Sequence, residues 1–245
     1  MPEEERKISA GSYDLNKWLY GGYEKDIITT IYGGAGTGKT NFCLLASISQ
    51  AKKGNKVIFI DTEGGFSVER VKQLAGDNYN NILKNILLLK PVNFDEQEKA
   101  FSDLLREIKN KSVSLIIVDG MTMLYRLELA EAIKSKEEER IREINSKLAK
   151  QMRILAEIAR NRNIPVLVTN QVYTEFLSEE DLKKGKKKEF HMVGGDILKY
   201  WSKSIIELIN ERGKRKVILR KHRSLPKKEL NFEITGSGVR KRGWI

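Results

Sequence analysis

Five short apolar runs divide most of the chain: "IITTIY" (27–32), "VIFID" (57–61), "ILLL" (86–89), "LIIVD" (115–119) and "VLVTN" (166–170). Each is rich in β-branched residues and bounded by turn formers or polar residues. Continuous apolarity over so few positions predicts strands buried on both faces, as in a parallel sheet. The segments between them are amphipathic. In the longest, about 136–162, Ile141, Ile144, Leu148, Met152, Leu155 and Ile158 or Ala159 recur at three-to-four spacing, which gives a helix one apolar face. Strand and helix alternating in this way predict an α/β fold with a mostly parallel central sheet and right-handed crossovers.

The pattern changes near the C-terminal end. "SIIELI" (204–209), "KVILR" (216–220) and "NFEI" (231–234) are separated by "NERGKR" and "KHRSLPKKEL", too short for helical crossovers. These runs predict antiparallel strands extending one edge of the sheet. The 245 residues fit a single domain over 1–245, since one α/β domain reaches roughly 250 residues. Cys43 is the single cysteine, so an internal disulfide is excluded and a reducing, cytoplasmic setting fits. No apolar run approaches the roughly 20 residues that span a bilayer, so no membrane partner is expected. Two histidines and one cysteine offer no zinc cluster.

Charge matters once it is located. The net charge is +12, and residues 183–245 hold 19 Lys and Arg against 6 Asp and Glu, or +13, which leaves −1 for the rest. Five of the six residues from Lys183 to Lys188 are lysine: Lys183, Lys184, Lys186, Lys187 and Lys188. An excess so localised favours a polyanionic partner, and nucleic acid is the commonest.

Chemistry is concentrated elsewhere. "GGAGTGKT", Gly33, Gly34, Ala35, Gly36, Thr37, Gly38, Lys39 and Thr40, matches G-x-x-x-x-G-K-[ST] between an apolar strand and the helical stretch that opens at Asn41. Glycines let backbone N–H groups turn inward on a phosphate chain, Lys39 brings a point charge to the β- and γ-phosphates of ATP, and the Thr40 hydroxyl reaches Mg2+. The helix start adds a dipole that favours anions. Asp119 ends an all-apolar strand, where a carboxylate can hold Mg2+ through water beside Thr40. Glu63 in "DTEGG" has two readings, a base for an attacking water or an ordinary loop carboxylate. Gln171 is a neutral amide just past a strand, able to feel a γ-phosphate by hydrogen bond and to move the residues after it.

With these pieces in order the chain resembles the RecA/RadA family of recombinases, and within it the archaeal RadB-type paralogues of RadA that lack an N-terminal DNA-binding domain. The resemblance rests on "ISAGSYDLNKWLYGG" (8–22), "GGAGTGKT" (33–40), "IDTEGGFSVERV" (60–71), "LIIVDG" (115–120), "VLVTNQV" (166–172) and "VGGDILKYWS" (193–202). It implies a RecA-type P-loop core, Glu63 as catalytic base and Gln171 as γ-phosphate sensor. It makes 120–135, with Arg126, and 172–193, with the five lysines, similar to the family's two DNA-binding loops. Lys221 and Arg223 resemble basic residues that reach a neighbour's nucleotide. Only "MPEEERK" precedes Ile8, without the aromatic F-x-x-A tether with which RadA builds filaments.

The resulting expectation is an ATP-binding, DNA-binding accessory protein of homologous recombination and DNA repair, with weak ATPase activity and no strand exchange. Its DNA binding is sequence-nonspecific and salt-sensitive. A RadA-type recombinase is the implied partner, with room for a homodimer. The competing readings are an active DNA-dependent recombinase and a KaiC-like regulatory ATPase acting on proteins.

Overall fold

The computed structural model describes residues 6–110, 112–174, 190–192 and 194–243. The chain opens with β1 (Lys7–Ile8), α1 (Tyr13–Trp18) and β2 (Tyr23–Glu24). The core begins with β3 (Ile28–Gly33), α2 (Lys39–Ala51), β4 (Lys56–Asp61), α3 (Val68–Ala75), α4 (Tyr79–Leu83) and β5 (Ile86–Leu89). It continues through α5 (Phe94–Asn110), β6 (Val113–Asp119), α6 (Met123–Lys134), α7 (Glu138–Arg162) and β7 (Val166–Asn170). Beyond lie β8 (Val172–Thr174), β9 (Phe190–Met192), α8 (Gly195–Trp201), β10 (Ser202–Glu211), β11 (Lys214–Lys221), β12 (Lys228–Thr235) and β13 (Gly238–Lys241).

Among the described residues nine strands make one sheet in the order β13-β12-β11-β10-β3-β7-β6-β4-β5. From β10 to β5 every neighbouring pair is parallel, and β11, β12 and β13 add antiparallel strands at the β10 edge. The five expected parallel strands therefore stand, two with the expected ends and three with ends shifted by one or two residues. The antiparallel strands expected at the edge also stand. β10 is antiparallel to β11 but runs parallel to β3, with Ile206 opposite Ile31 and Leu208 opposite Gly33. The crossover that this requires comes from α8, immediately upstream of β10.

Alternation along the strands divides the core into two layers. Val57, Phe59, Leu115, Ile117 and Leu167 face one side, in a cluster with α2, α1 and the antiparallel strands. Ile58, Ile60, Ile116, Val118, Val166 and Val168 face the other, against α5, α6, α7 and α8. The apolar stripe of α7 is the one read from spacing: Ile144, Leu148, Met152, Leu155, Ile158 and Ala159 are buried. Leu148 and Leu155 are 0% exposed, each worth about 1.5–3 kcal/mol of transfer free energy, which fixes α7 on the sheet although its outer face is charged.

A correction concerns 120–135. Residues Met123–Lys134 form the helix α6 rather than a loop, with Leu124, Tyr125 and Ala132 buried against the sheet side. The stretch has strong helix formers and no proline, so packing of those three side chains suffices to fold it.

Candidate nucleotide and nucleic-acid site

The carboxyl ends of β3, β4, β6 and β7 converge, and the phosphate-type loop lies among them. Gly33 ends β3 so close to β10 that a Cβ there would stand 2.2 Å from the Leu208 carbonyl oxygen. At Gly38, φ is +111° and a Cβ would meet Ile234 Cδ1 at 2.7 Å, so the turn into α2 needs a residue without a side chain. Thr37 Oγ1 donates to the Gly34 carbonyl at 2.9 Å, closing the loop on itself. Buried Lys39 lays its Nζ on the Gly33 and Gly34 carbonyls at 2.9 and 3.0 Å. Burial lowers its pKa, while the charges of Glu63 and Asp119 resist that shift. The loop thus carries a cation stacked on its own backbone at the positive end of a 13-residue helix.

Beside it stands an oxygen cluster. Thr40 Oγ1 donates to Asp119 Oδ2 at 2.7 Å, and Thr169 Oγ1 donates to Asp119 Oδ1 at 2.6 Å while accepting from the Gly120 amide at 2.7 Å. Burial raises the Asp119 carboxyl above its ordinary range, against the lowering effect of the two hydroxyls. Asp61 is occupied differently, its carboxylate accepting the amides of Gly65 and Phe66 at 3.0 and 2.9 Å and fixing the turn that carries Glu63. That turn comes close: a Cβ on Gly65 would lie 3.1 Å from Thr40 Oγ1. Hard oxygen donors in a Thr–carboxylate pair next to a phosphate cradle fit Mg2+, which takes one or two protein oxygens and completes its shell with phosphate and water. Thr40 and Asp119 are the residues that would hold it.

Glu63 and Gln171 meet. Gln171 Nε2 donates to Glu63 Oε2 at 3.0 Å, and the Gln171 backbone N–H donates to Asn170 Oδ1 at 2.9 Å, which also accepts from Thr122 Oγ1. Gly120, at φ +88°, sits where a Cβ would be 2.4 Å from Thr62 Oγ1 and 2.6 Å from Glu63 Cγ. Ala35, Gly36, Gly38, Lys39, Thr40, Asn41, Glu63 and Gln171 line one cleft of about 480 Å³, closed by Arg215 and Ile234 from β11 and β12. The Asn41 side chain is already engaged, its Oδ1 accepting from Arg70 Nε at 2.8 Å.

Directly after Gln171 the chain enters β8, which pairs antiparallel with β9 through Val172↔Met192, Tyr173↔His191 and Thr174↔Phe190. The segment expected to be a DNA loop thus leaves and returns on a two-stranded ribbon whose first residue adjoins the Glu63 contact. Lys183, Lys184, Lys186, Lys187 and Lys188 lie outside the described residues. Arg126 is exposed on α6.

Lys221 and Arg223 are not in the cleft. Lys221 Nζ donates to the Lys199 carbonyl at 2.8 Å, and Arg223 bonds Glu24 at 2.5 Å and Asp26 at 2.8 Å. Asp26 precedes β3, so this cluster lies at the opposite end of the strand from Gly33.

Several contributors escaped the sequence. Thr169 is one residue short of a strand end and looks like sheet filler, and only the β6–β7 pairing brings it to Asp119. The glycine after Asp119 was a visible signal for Gly120. Arg215 and Ile234 reach the cleft only through the order of the antiparallel strands.

A family model described as Rad51 matches residues 3–242. The chain is 40% identical over 226 residues to the DNA repair and recombination protein RadB of Methanococcus maripaludis strain C7, covering 92% of this chain and 96% of that one. To the protein of the same description from Methanococcoides burtonii it is 41% identical over 228 residues, 92% of this chain and 94% of the other. A solved structure described as the crystal structure of the RadB recombinase superposes with a TM-score of 0.73 at 32% identity, covering 96% of this chain and 100% of that one.

Proposed function

The chain belongs to the Rad51 family, and from that premise we propose that it is an ATP- and DNA-binding protein of homologous recombination and DNA repair in which nucleotide occupancy sets the grip on DNA. Lys39 and the loop amides take the phosphate charge of ATP, and Thr40 and Asp119 take Mg2+, which when bound screens that charge. Glu63 is the group that accepts a proton from water, at Oε2, and Gln171 orients Glu63 until a terminal phosphate competes for its amide. The β8–β9 ribbon carries the change outward to the segment that holds the lysines at 183–188, and Arg126 on α6 is a further cation for the DNA backbone. Binding to the DNA backbone in this way is indifferent to sequence and falls with salt.

Turnover in the isolated chain is slow and the role is accessory. In support, Lys221 and Arg223, the cations suited to a neighbour's nucleotide, are held at the far end of the sheet by Lys199, Glu24 and Asp26. They become useful only in an assembly, with a RadA-type recombinase or with a second copy, and the reading excludes strand exchange by the chain alone.

The single observation that carries the reading is the Gln171–Glu63 hydrogen bond at the root of the ribbon. If it couples the two sites, ATP raises affinity for single-stranded DNA and DNA raises affinity for ATP by the same factor, as linkage demands. Gln171→Ala should lower ATP affinity by the one lost phosphate bond, leave DNA affinity without ATP unchanged, and reduce that factor to about one. Titrations of labelled DNA with and without ATP check it, and an undiminished factor in the variant rejects the coupling.

A further inference from the structure

We propose that Arg215, on the antiparallel side of the sheet, is a phosphate ligand of the cleft, supplied in the same chain as Lys39. The inference rests on the nucleotide-binding reading above and adds to it a second cation.

Position comes first. β11 alternates, so Arg215, Val217 and Leu219 point to one face, and Val217 and Leu219 are buried in the cluster that contains α2. Arg215, itself half-buried, thus continues that row beyond its buried apolar members toward the glycine loop. Register gives its height: Leu208 lies opposite Gly33, and Asn210, two residues further along the same strand, lies opposite Arg215. The side chain accordingly lines the cleft with Gly38, Lys39 and Gln171.

Partnership is the second observation. Three other cations of β11 have acceptors, Lys216 on Glu229, Arg220 on Glu207 and Lys221 on the Lys199 carbonyl, and Lys214 is exposed to water. Arg215 Nε is buried and has no hydrogen-bond partner, and among the described residues Arg215 forms no ion pair. A guanidinium held half out of water with an unfilled donor is costly unless an anion completes it. Guanidinium matches phosphate through paired, charge-assisted hydrogen bonds, and the cleft is the place where the loop amides collect phosphate. Ile234 beside it, packed on the Cα of Gly38, keeps that wall of the cleft apolar and strengthens the attraction.

The test is calorimetric titration of ATP and of inorganic tripolyphosphate into the full chain, with melting curves taken without ligand. Arg215→Gln should weaken both ligands by a similar factor, about tenfold to a hundredfold, the scale of a lost charge-assisted bond. Arg215→Lys, which keeps the charge without the planar fork, should fall between wild type and Arg215→Gln, and it carries the test if the glutamine variant does not melt cooperatively. Wild-type affinity for both ligands in Arg215→Gln overturns the proposal, as does a loss confined to ATP with tripolyphosphate unaffected, which would move the contact to the base. Lys39→Ala is the control: if it binds ATP like the wild type, the nucleotide reading of the cleft fails, independently of Arg215.

Discussion

The two ends of the parallel sheet make an instructive pair. At the carboxyl end of β3 lie Lys39, Asp119, Glu63, Gln171 and Arg215, whose bonds leave capacity unfilled: a lysine resting on its own loop, a buried carboxylate with a raised pKa and a guanidinium nitrogen without an acceptor. At the amino end Arg223 is clamped between Glu24 and Asp26, and Ser224 Oγ adds a further bond to Glu24 at 3.3 Å. Both ends gather charged residues from distant parts of the chain. One is electrostatically incomplete and the other is satisfied within the chain. The difference separates polar groups kept for a ligand from polar groups kept for the fold.

Three substitutions sharpen that contrast. Gly120→Ala should have the largest effect, roughly 2–4 kcal/mol of lost stability, because a left-handed backbone is combined with contacts near 2.4 and 2.6 Å to Thr62 and Glu63; chemical denaturation measures it, and a change below about 1 kcal/mol would mean that the turn around Glu63 is free to yield.

Asp119→Asn should act with the opposite sign. A carboxyl raised by burial contributes stability fully below its unfolded value of about 3.9, and loses it as pH rises through the higher folded value. In metal-free buffer the variant should therefore melt above wild type at neutral pH, with the gap closing as pH falls into the carboxylate range. It should also lose the extra stabilisation that Mg2+ adds to ATP. A variant that melts lower at neutral pH would show that Thr40 and Thr169 already compensate the charge. Smallest is Arg223→Ala, about 1–2 kcal/mol, because the pair with Asp26 is half-exposed while the buried Glu24 carboxylate keeps the Ser224 hydroxyl. ATP affinity of the isolated chain should stay at the wild-type value, and a drop in it would join the two ends that the geometry separates.

Much of the fold was open to reading because of double burial. Strands such as "VIFID" and "VLVTN" are apolar at consecutive positions, a pattern that few other contexts produce. β13 was not legible, since in "GVRK" only Val239 is apolar and the strand exists by pairing with β12. The parallel pairing of β10 with β3 was not legible because α8, which feeds it, has only seven residues, below the length at which periodicity declares itself. The loop expected at 120–135 came from likeness to other proteins, while "MLYRLELAEAIK" by composition is a helix.

The site divides in the same way. Lys39, Thr40 and Asp119 follow from local spacing after a strand, and the Thr40–Asp119 bond links residues that the motif alone could pair. Thr169 and Arg215 depend on strand order and register across the sheet, which a local motif does not encode.

Arg70 gives the molecule a seam. From α3 its guanidinium reaches Asn41 at the head of α2 and the carbonyls of Thr235 and Gly236 in the bend between β12 and β13, at 2.8, 2.8 and 3.4 Å. One side chain therefore stitches the last two strands to the body that holds the glycine loop. With Arg70 removed the hairpin keeps its ladder to β11 and the ties of Val239 to Ser12 and of Lys241 to Asp14, so local opening should begin at the bend itself, beside the wall that Ile234 gives the cleft.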